Sequence, residues 1–188
     1  MALVVEGLLS IKAGEVVALM GPNGSGKTSL ALGIIGHPGY KLKNKIWLDG
    51  EEISGLSMPE RVKKGLFLTW QSPVGIRGVS VRQILKKNLT AEAKKLKINQ
   101  QLLDRDINVN FSGGERKKLE LLELLALQPK YAILDEVDAG LDSESLRLLG
   151  KIKAKNMGIL LITHQTRVFD YLKPDRIVQM KDLKICRI

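Results

Sequence analysis

The chain has 188 residues, of which 44% are hydrophobic and 27% are charged, and this composition is typical of a globular protein. Its length suits one sizeable core, so we expect a single domain over residues 1–188. No apolar run approaches the roughly 20 residues that a membrane span requires, and no signal segment is recognisable, so we expect a cytoplasmic location. The single cysteine, Cys186, excludes an intrachain disulfide.

The formal net charge of +10 raises the question of a nucleic-acid partner, because basic surfaces attract phosphate backbones. Basic residues cluster at positions 86–87, 94–97 and 116–118. The few aromatic residues, Trp47 and Trp70 among them, do not alternate with these clusters to form base-stacking platforms. The sequence therefore favours a solvated basic face, or an acidic protein partner, over nucleic acid.

Strand and helix patterns alternate along the chain. Strands are predicted over residues 16–20, 45–48, 65–70, 131–134, 158–162 and 176–180. Long helices are predicted to begin at residue 29 and to span residues 115–128 and 143–156. Residues 72–110 show only short helical pieces, at 81–85 and 92–96. This order predicts an α/β fold with a mainly parallel sheet, flanking helices and a small helical excursion.

The stretch from Gly21 to Thr28 reads Gly-Pro-Asn-Gly-Ser-Gly-Lys-Thr and fits the phosphate-binding pattern G-x-x-x-x-G-K-[ST]. It lies between a predicted strand and a predicted helix, so backbone N–H groups and the helix dipole converge on one point. We expect Lys27 to reach the terminal phosphates of a nucleotide and Thr28 to ligate Mg2+. A glycine-rich turn that matches by chance is the alternative.

Two acidic residues, Asp135 and Glu136, end the apolar pattern of residues 131–134. A carboxylate at the carboxyl end of a parallel strand lies where ligands bind in open α/β sheets. We expect Asp135 to hold Mg2+ or its waters opposite Thr28, and Glu136 to polarise the water that attacks the γ-phosphate. Taken alone, the two acids also fit an ordinary helix cap or loop.

The segment Phe-Ser-Gly-Gly-Glu at residues 111–115 opens the longest predicted helix. Ser112 and Glu115 fit a capping box, which is a structural device. A cap does not need two adjacent glycines, whereas close approach of an anionic group to the backbone does. Gly113 and Gly114 therefore favour an anion-binding helix end, and the structural and functional interpretations are compatible.

In order and spacing, these motifs resemble those of an ABC-type ATPase domain of the P-loop NTPase class. Residues 21–28 resemble its Walker A motif, Gln71 its Q-loop, residues 112–115 its signature and residues 131–136 its Walker B motif. Residues 139–142 resemble its D-loop, and residues 163–164 its H-loop. Three longer stretches, 60–78, 108–118 and 134–142, are most similar to the SufC-type ATPases of iron-sulfur cluster assembly.

The resemblance implies an ATP site shared by two chains in a head-to-tail dimer that closes on ATP. It implies catalytic roles for Glu136, His164 and Gln71, with His164 on the γ-phosphate and Gln71 sensing the metal and the attacking water. It implies Thr28, Gln71 and Asp135 as the Mg2+ site. The nucleotide contacts that it implies are Gly21, Pro22, Asn23, Gly24, Ser25, Gly26, Lys27, Thr28 and Ser29, with Ser112, Gly113, Gly114 and Asp142 at the dimer seam.

The resemblance also implies an organisation and a partner. Residues 1–71 and 115–188 form the nucleotide-binding core, and residues 72–114 form a helical subdomain that is shorter than usual and ends in the signature. The implied partner is a SufB- or SufD-like iron-sulfur scaffold. The alternatives are a membrane-transporter subunit that couples through residues 71–112, and a nucleic-acid-linked protein. Only 20 residues precede Gly21 and the first aromatic residue is Tyr40, so we expect the usual adenine-stacking aromatic to be missing or replaced.

Overall fold

The computed structural model describes residues 1–70, 73–85, 90–137, 141–152, 156–181 and 184–187. Within these ranges the backbone forms strands that divide between two sheets. In chain order the strands are β1 (Ala2–Val5), β2 (Leu9–Lys12), β3 (Val16–Met20), β4 (Ile46–Leu48), β5 (Glu51–Glu52), β6 (Leu66–Leu68), β7 (Tyr131–Asp135), β8 (Gly158–Ile162), β9 (Arg176–Lys181) and β10 (Lys184–Arg187).

The helices lie between these strands, as the alternating pattern predicts. In chain order they are α1 (Lys27–Ile35), α2 (Met58–Lys63), α3 (Val81–Leu85), α4 (Thr90–Lys95), α5 (Gln100–Leu103), α6 (Gly113–Leu127), α7 (Ser143–Ile152) and α8 (Phe169–Leu172), the last preceded by a 3-10 turn at Thr166–Val168. Across the described ranges, no helix combines the length and the apolar character that crossing a bilayer demands.

The larger sheet has six strands in the order β10-β9-β3-β8-β7-β6. Its pairs from β9 to β6 are all parallel, and only β10 runs antiparallel to its neighbour. The prediction of a mainly parallel sheet flanked by helices is therefore confirmed. Because the strands are parallel, the residues that follow β3, β6, β7 and β8 emerge at one edge, where ligands bind in this fold class.

Two apolar clusters cover the two faces of this sheet. Alternate residues of a strand point to opposite faces, so Ala132 and Leu134 join the cluster of α6 and α7, whereas Tyr131 and Ile133 join the cluster of α1 and the smaller sheet. Both faces of β7 and β8 are buried, which explains why these strands appear in the sequence as continuous apolar runs. Burying each large aliphatic side chain contributes about 1.5–3 kcal/mol.

The smaller sheet is antiparallel, in the order β2-β1-β4-β5, and only β4 was predicted. Leu3 of β1 lies opposite Ile11 of β2 on one side and Leu48 of β4 on the other. The strands β1 and β2 were missed because each has four residues, too few for a strong alternating pattern. The chain thus has antiparallel strands ahead of Gly21, and none of their residues is aromatic.

The long helices differ from their predicted bounds at the ends. Helix α6 begins at Gly113, two residues ahead of the predicted start, because Ser112 is the N-cap and forms a capping box with Glu115. It ends before Gln128, whose left-handed φ of 45° terminates the helix ahead of Pro129. Helix α7 is described as far as Ile152. Asn156, the predicted last residue of this helix, has a left-handed φ of 61° and is therefore not helical.

Three short helices, α3 to α5, occupy the predicted excursion from the sheet. One isolated antiparallel bridge, between Ser80 and Asp106, closes the base of this region. Side chains from it, such as Val81, Leu96 and Leu102, belong to the same apolar cluster as α6. The division into a core and a helical subdomain with the bounds given above stays a prediction.

Candidate functional site

The glycine-rich loop connects β3 to α1 at the carboxyl edge of the larger sheet. Gly21 has a φ of 149°, and a Cβ atom there would collide with the carbonyl oxygen of Met180. Gly26 caps α1 with a left-handed φ of 100°, a conformation that other residues rarely adopt. The loop therefore depends on glycine both for its path beside β9 and for its entry into the helix.

Lys27 folds back over this loop. Its Nζ donates hydrogen bonds to the carbonyl oxygens of Gly21 and Pro22, each at 2.9 Å. The side chain is 6% exposed, and burial lowers the pKa of its ammonium group, while the carboxylates of Asp135 and Glu136 act in the opposite direction. Within the described part of the chain, the hydrogen bonds of this ammonium group go to neutral carbonyl oxygens, and it can exchange them for stronger, charge-assisted bonds to a phosphate.

Asp135 lies at the end of β7, beside the first turn of α1. Its backbone N–H donates to Oγ1 of Thr69 at 2.8 Å, and its carboxyl group accepts a hydrogen bond from the Thr28 side chain. Burial raises the pKa of the Asp135 carboxyl, and its buried Oδ1 has no hydrogen-bond partner among the described residues. A hydroxyl and a carboxylate with one oxygen unsatisfied form a donor set that suits a hard divalent cation.

Glu136 and His164 face each other across the same site. His164 Nε2 lies 3.5 Å from Glu136 Oε1, and both side chains are partly exposed. Glu136 has a left-handed φ of 50°, and its backbone N–H donates to the carbonyl oxygen of Ile162 at 2.9 Å. Such strain on a non-glycine residue persists only where the surroundings fix it, and it is concentrated at functional sites.

A cavity of about 270 Å³ joins these features. Every described residue that lines it belongs to the set predicted from the sequence, namely Asn23, Gly24, Gly26, Lys27, Thr28, Ser29, Glu136 and His164. Ser25 is a buried member of the loop, and its Oγ has no hydrogen-bond partner among the described residues. Residues more than 100 positions apart in sequence thus meet at one edge of the sheet.

The residues of the predicted signature do not line this cavity. Ser112 caps α6, its backbone N–H donates to Glu115 Oε2 at 2.7 Å, and its Oγ accepts from the Glu115 N–H at 3.3 Å. A Cβ atom added at Gly113 or Gly114 would meet nothing within 4 Å. Nothing in the described part of the chain therefore requires glycine at these two positions.

Asp142 and Gln71 are two further residues predicted to take part in the site. Asp142 accepts a hydrogen bond from the Ser145 N–H at 2.8 Å and pairs with Lys118 at 3.2 Å. The Ser145 hydrogen bond is the main reason why the pKa of Asp142 falls to about 2. Gln71, together with residues 139 and 140 of the predicted D-loop, lies outside the described residues.

Two residues that were not predicted from the sequence hold the backbone near the site. They are Thr69, which follows β6, and Glu120 of α6. Thr69 Oγ1 fixes the backbone of Asp135, as described above. Glu120 of α6 accepts a hydrogen bond from the Trp70 N–H at 2.8 Å and pairs with Lys117 at 3.1 Å. Glu120 therefore joins the helix that follows the signature to the backbone just ahead of Gln71. Of these residues, Thr69 could have been found from the sequence, because it is a polar residue directly after the apolar run of residues 66–68.

An apolar groove adjoins this connection. We call it the Trp70 groove; it has a volume of about 540 Å³, and its apolar walls include Met58, Leu68, Trp70, Val74, Ile76 and Leu119. Two carboxylates of α6, Glu120 and Glu123, also line it. Burial, with the nearby Glu120 charge as a second cause, raises the pKa of Glu123 to about 7.

This acid makes stability depend on pH in a definite direction. The pKa of Glu123 rises from 4.5 to about 7 on folding, so between these values the folded chain retains the proton that the unfolded chain loses, and stability falls as pH rises. Glu123→Gln should stabilise the chain relative to the parent, and we expect this gain in the free energy of unfolding to be about 2 kcal/mol larger at pH 8 than at pH 5. Urea unfolding at both pH values measures this gain, with the exposed Glu6→Gln as control; equal gains at the two pH values contradict it.

Comparison with known proteins identifies the family. A family model described as ABC transporter matches residues 7–139. A relative from Streptococcus pyogenes serotype M3, named "Probable ABC transporter ATP-binding protein", is 38% identical over 202 residues, which cover 94% of this chain and 78% of the relative. A relative from Synechocystis, named "Probable ATP-dependent transporter", is 39% identical over 203 residues, which cover 94% and 79%.

A solved structure shares the fold. It is a dimeric, post-hydrolysis state of an ATP-binding cassette with bound ADP and Pi, and it aligns with a TM-score of 0.77 at 21% identity over 95% of this chain and 86% of that chain. The match agrees with the parallel sheet, the glycine-rich loop and the flanking helices. The chain therefore belongs to the ABC transporter family, with the P-loop NTPase fold of an ABC ATPase domain.

Proposed function

We propose that the chain binds and hydrolyses ATP with Mg2+, and that it drives a partner protein by doing so. One observation carries the proposal: a single cavity brings together Lys27, Thr28, Glu136 and His164 beside the buried Asp135. Membership of the ABC family supports it, as does the ADP and Pi held by the similar cassette.

The loop and α1 bind the triphosphate. The backbone N–H groups of Gly21–Ser29 and the positive end of α1 bind the phosphate oxygens. Lys27 exchanges its two carbonyl contacts for the terminal phosphates. Thr28 and Asp135 hold Mg2+, a role that fits the unsatisfied Oδ1 of Asp135, with Gln71 as the third member of the set. The metal, when bound, neutralises charge that develops on the transferred phosphoryl group.

Glu136 is the general base of the proposed reaction. Its carboxylate lies in the cavity with Lys27, and it accepts a proton from the water that attacks the γ-phosphorus. The bond between that phosphorus and the bridging oxygen breaks, and ADP leaves with the bridging oxygen. His164 lies 3.5 Å from Glu136 Oε1, which allows it to orient the base and to contact the γ-phosphate. Gln71 positions the water.

A second copy of the chain completes the site. The helix N-terminus at Ser112, Gly113 and Gly114 is exposed and does not line the cavity of its own chain. In a head-to-tail dimer, this end of α6 meets the γ-phosphate that the partner copy binds, and its N–H groups stabilise the charge. Asp142 lies at the seam. The dimeric state of the similar cassette supports this arrangement.

The proposed partner is an iron-sulfur scaffold of the SufB or SufD type, in the cytoplasm. The similarity of residues 60–78, 108–118 and 134–142 to SufC-type ATPases supports it. A second candidate is the ATP-binding role in a membrane transporter, which the names of the two relatives favour. In both cases the Trp70 groove, which adjoins the predicted coupling region, is the proposed docking surface.

Phosphate release from ATP by the purified chain, with and without Mg2+, tests the activity. We expect release that requires Mg2+ and that Lys27→Ala lowers by about 100-fold, because it removes a preorganised charge from the transferred phosphate. The exposed loop residue Lys43 provides a matched control, and Lys43→Ala should release phosphate at the parent rate. Release that persists in Lys27→Ala, or that ignores Mg2+, contradicts the proposal.

A further inference from the structure

The Trp70 groove combines exposed apolar walls with two acidic lining residues, Glu120 and Glu123. Val74 is 80% exposed and Ile76 is 49% exposed on its rim, and Trp70 and Leu119 line it more deeply. Exposed apolar side chains around a concave surface mark binding sites for apolar groups. The groove therefore suits an apolar segment of another protein.

The carboxylates of Glu120 and Glu123 in this lining differ in their hydrogen bonding. Glu120 accepts hydrogen bonds on both of its oxygens, from the Trp70 N–H at 2.8 Å and from Lys117 Nζ at 3.1 Å. Glu123 has no hydrogen bond or ion pair within the described part of the chain. It lies three residues from Glu120 on α6, and the negative charge of Glu120 opposes its ionisation.

A bare carboxylate in an apolar groove is unfavourable when the groove is filled. Closing the groove over Glu123 removes water from this group, so it must either take up a proton or stay charged without a partner at a cost of several kcal/mol. A basic side chain on the incoming segment removes this penalty, since it pairs with the carboxylate as it is buried. A small cation alone leaves the apolar walls exposed, and the described residues hold no cluster of three metal-ligating side chains.

We propose that the Trp70 groove receives an apolar segment of the partner protein that carries one lysine or arginine, and that this cation pairs with Glu123. The inference rests on the proposed function, because it specifies the chemistry of the partner that docks there. The chain as a whole carries a net charge of +10, which disfavours the approach of basic segments in general. Glu123 therefore makes the groove selective for a basic residue set among apolar ones.

Peptide selection on the full chain tests this inference. The protein carries Trp47→Phe, so that Trp70 is its only tryptophan and its fluorescence reports occupation of the groove. Random 12-residue peptides displayed on phage are selected for binding, and the enriched sequences are synthesised. We expect apolar peptides with one Lys or Arg. We expect Glu123→Gln to weaken them by about tenfold or more, because it removes one member of a buried charge pair, while Glu6→Gln leaves their affinity unchanged.

A substitution in the peptide, combined with Glu123→Gln in the protein, gives a double-mutant cycle for the proposed ion pair. Replacing its basic residue by norleucine should weaken binding to the parent protein by a similar factor and have little further effect on Glu123→Gln. The inference is overturned if the enriched peptides lack a basic residue, or if they bind equally to the parent protein and to Glu123→Gln. The groove is then an apolar docking surface without the ion pair. If Val74→Asp weakens no selected peptide, the groove is not a docking surface and the inference fails with it. Phosphate release without peptide tests ATP hydrolysis separately.

Discussion

Glu136→Gln should reduce the rate of ATP hydrolysis by about 100-fold or more while ATP still binds, since a general base contributes about this factor. Gln has nearly the same shape as Glu and does not accept the proton of the attacking water. Gln has the same backbone preferences as Glu, so we expect the φ of 50° at position 136 and the path of the loop after β7 to be kept. Single-turnover phosphate release, measured beside nucleotide affinity, separates the chemical step from binding.

A matched variant keeps this test specific. Glu144 is a carboxylate near the start of α7 that pairs with Lys97 at 2.7 Å on the surface, away from the lining of the cavity. Glu144→Gln should hydrolyse ATP at the parent rate, because surface ion pairs contribute about 0–1 kcal/mol to stability. Turnover by Glu136→Gln within a few-fold of the parent contradicts the assignment of the base.

Ser112→Arg should abolish dimerisation that depends on ATP. The arginine places a long, charged side chain at the helix N-terminus that meets the phosphate of the second copy, and it blocks the close backbone approach that Gly113 and Gly114 permit. In a Glu136→Gln background, where hydrolysis is slow, light scattering should show dimers with Mg-ATP and monomers when Ser112→Arg is added.

Loss of the helix cap needs its own control, because Ser112 also accepts the Glu115 N–H. Ser112→Ala removes the cap without adding bulk, and it should cost about 1 kcal/mol of stability while dimers still form. If Ser112→Arg forms dimers with ATP as readily as Ser112→Ala, the site is not built from two chains in the proposed way.

The sequence was most informative where one face or both faces of an element are buried. The strand over residues 158–162 has the predicted bounds, because two buried faces leave an unbroken apolar run. Strands β1 and β2 were missed because they are short and half exposed. Helix α2 was also missed, although Ser57 and Glu60 form a capping box with a proline in the first turn, so its signal was present in the sequence.

The candidate site was predictable as far as its motifs are continuous in sequence. The loop at Gly21–Thr28 and the pair Asp135–Glu136 each predict a local geometry, and parallel strands bring their ends together. Contacts that depend on packing were not predictable. Glu120 meets the Trp70 N–H across 50 positions, and the half-buried position of Glu123 in the groove beside Leu68 and Trp70 arises only from tertiary packing. No pattern on α6 itself distinguishes these two acids from surface ones.

Calorimetric titration of Mg-ATP into the folded chain tests the central claim, which is that the triphosphate binds in the loop ahead of Lys27. One ATP per chain should bind to the parent, and Lys27→Ala should weaken this binding strongly while Lys43→Ala leaves it unchanged. No uptake of Mg-ATP by the folded parent chain, or equal uptake by Lys27→Ala, would contradict the account.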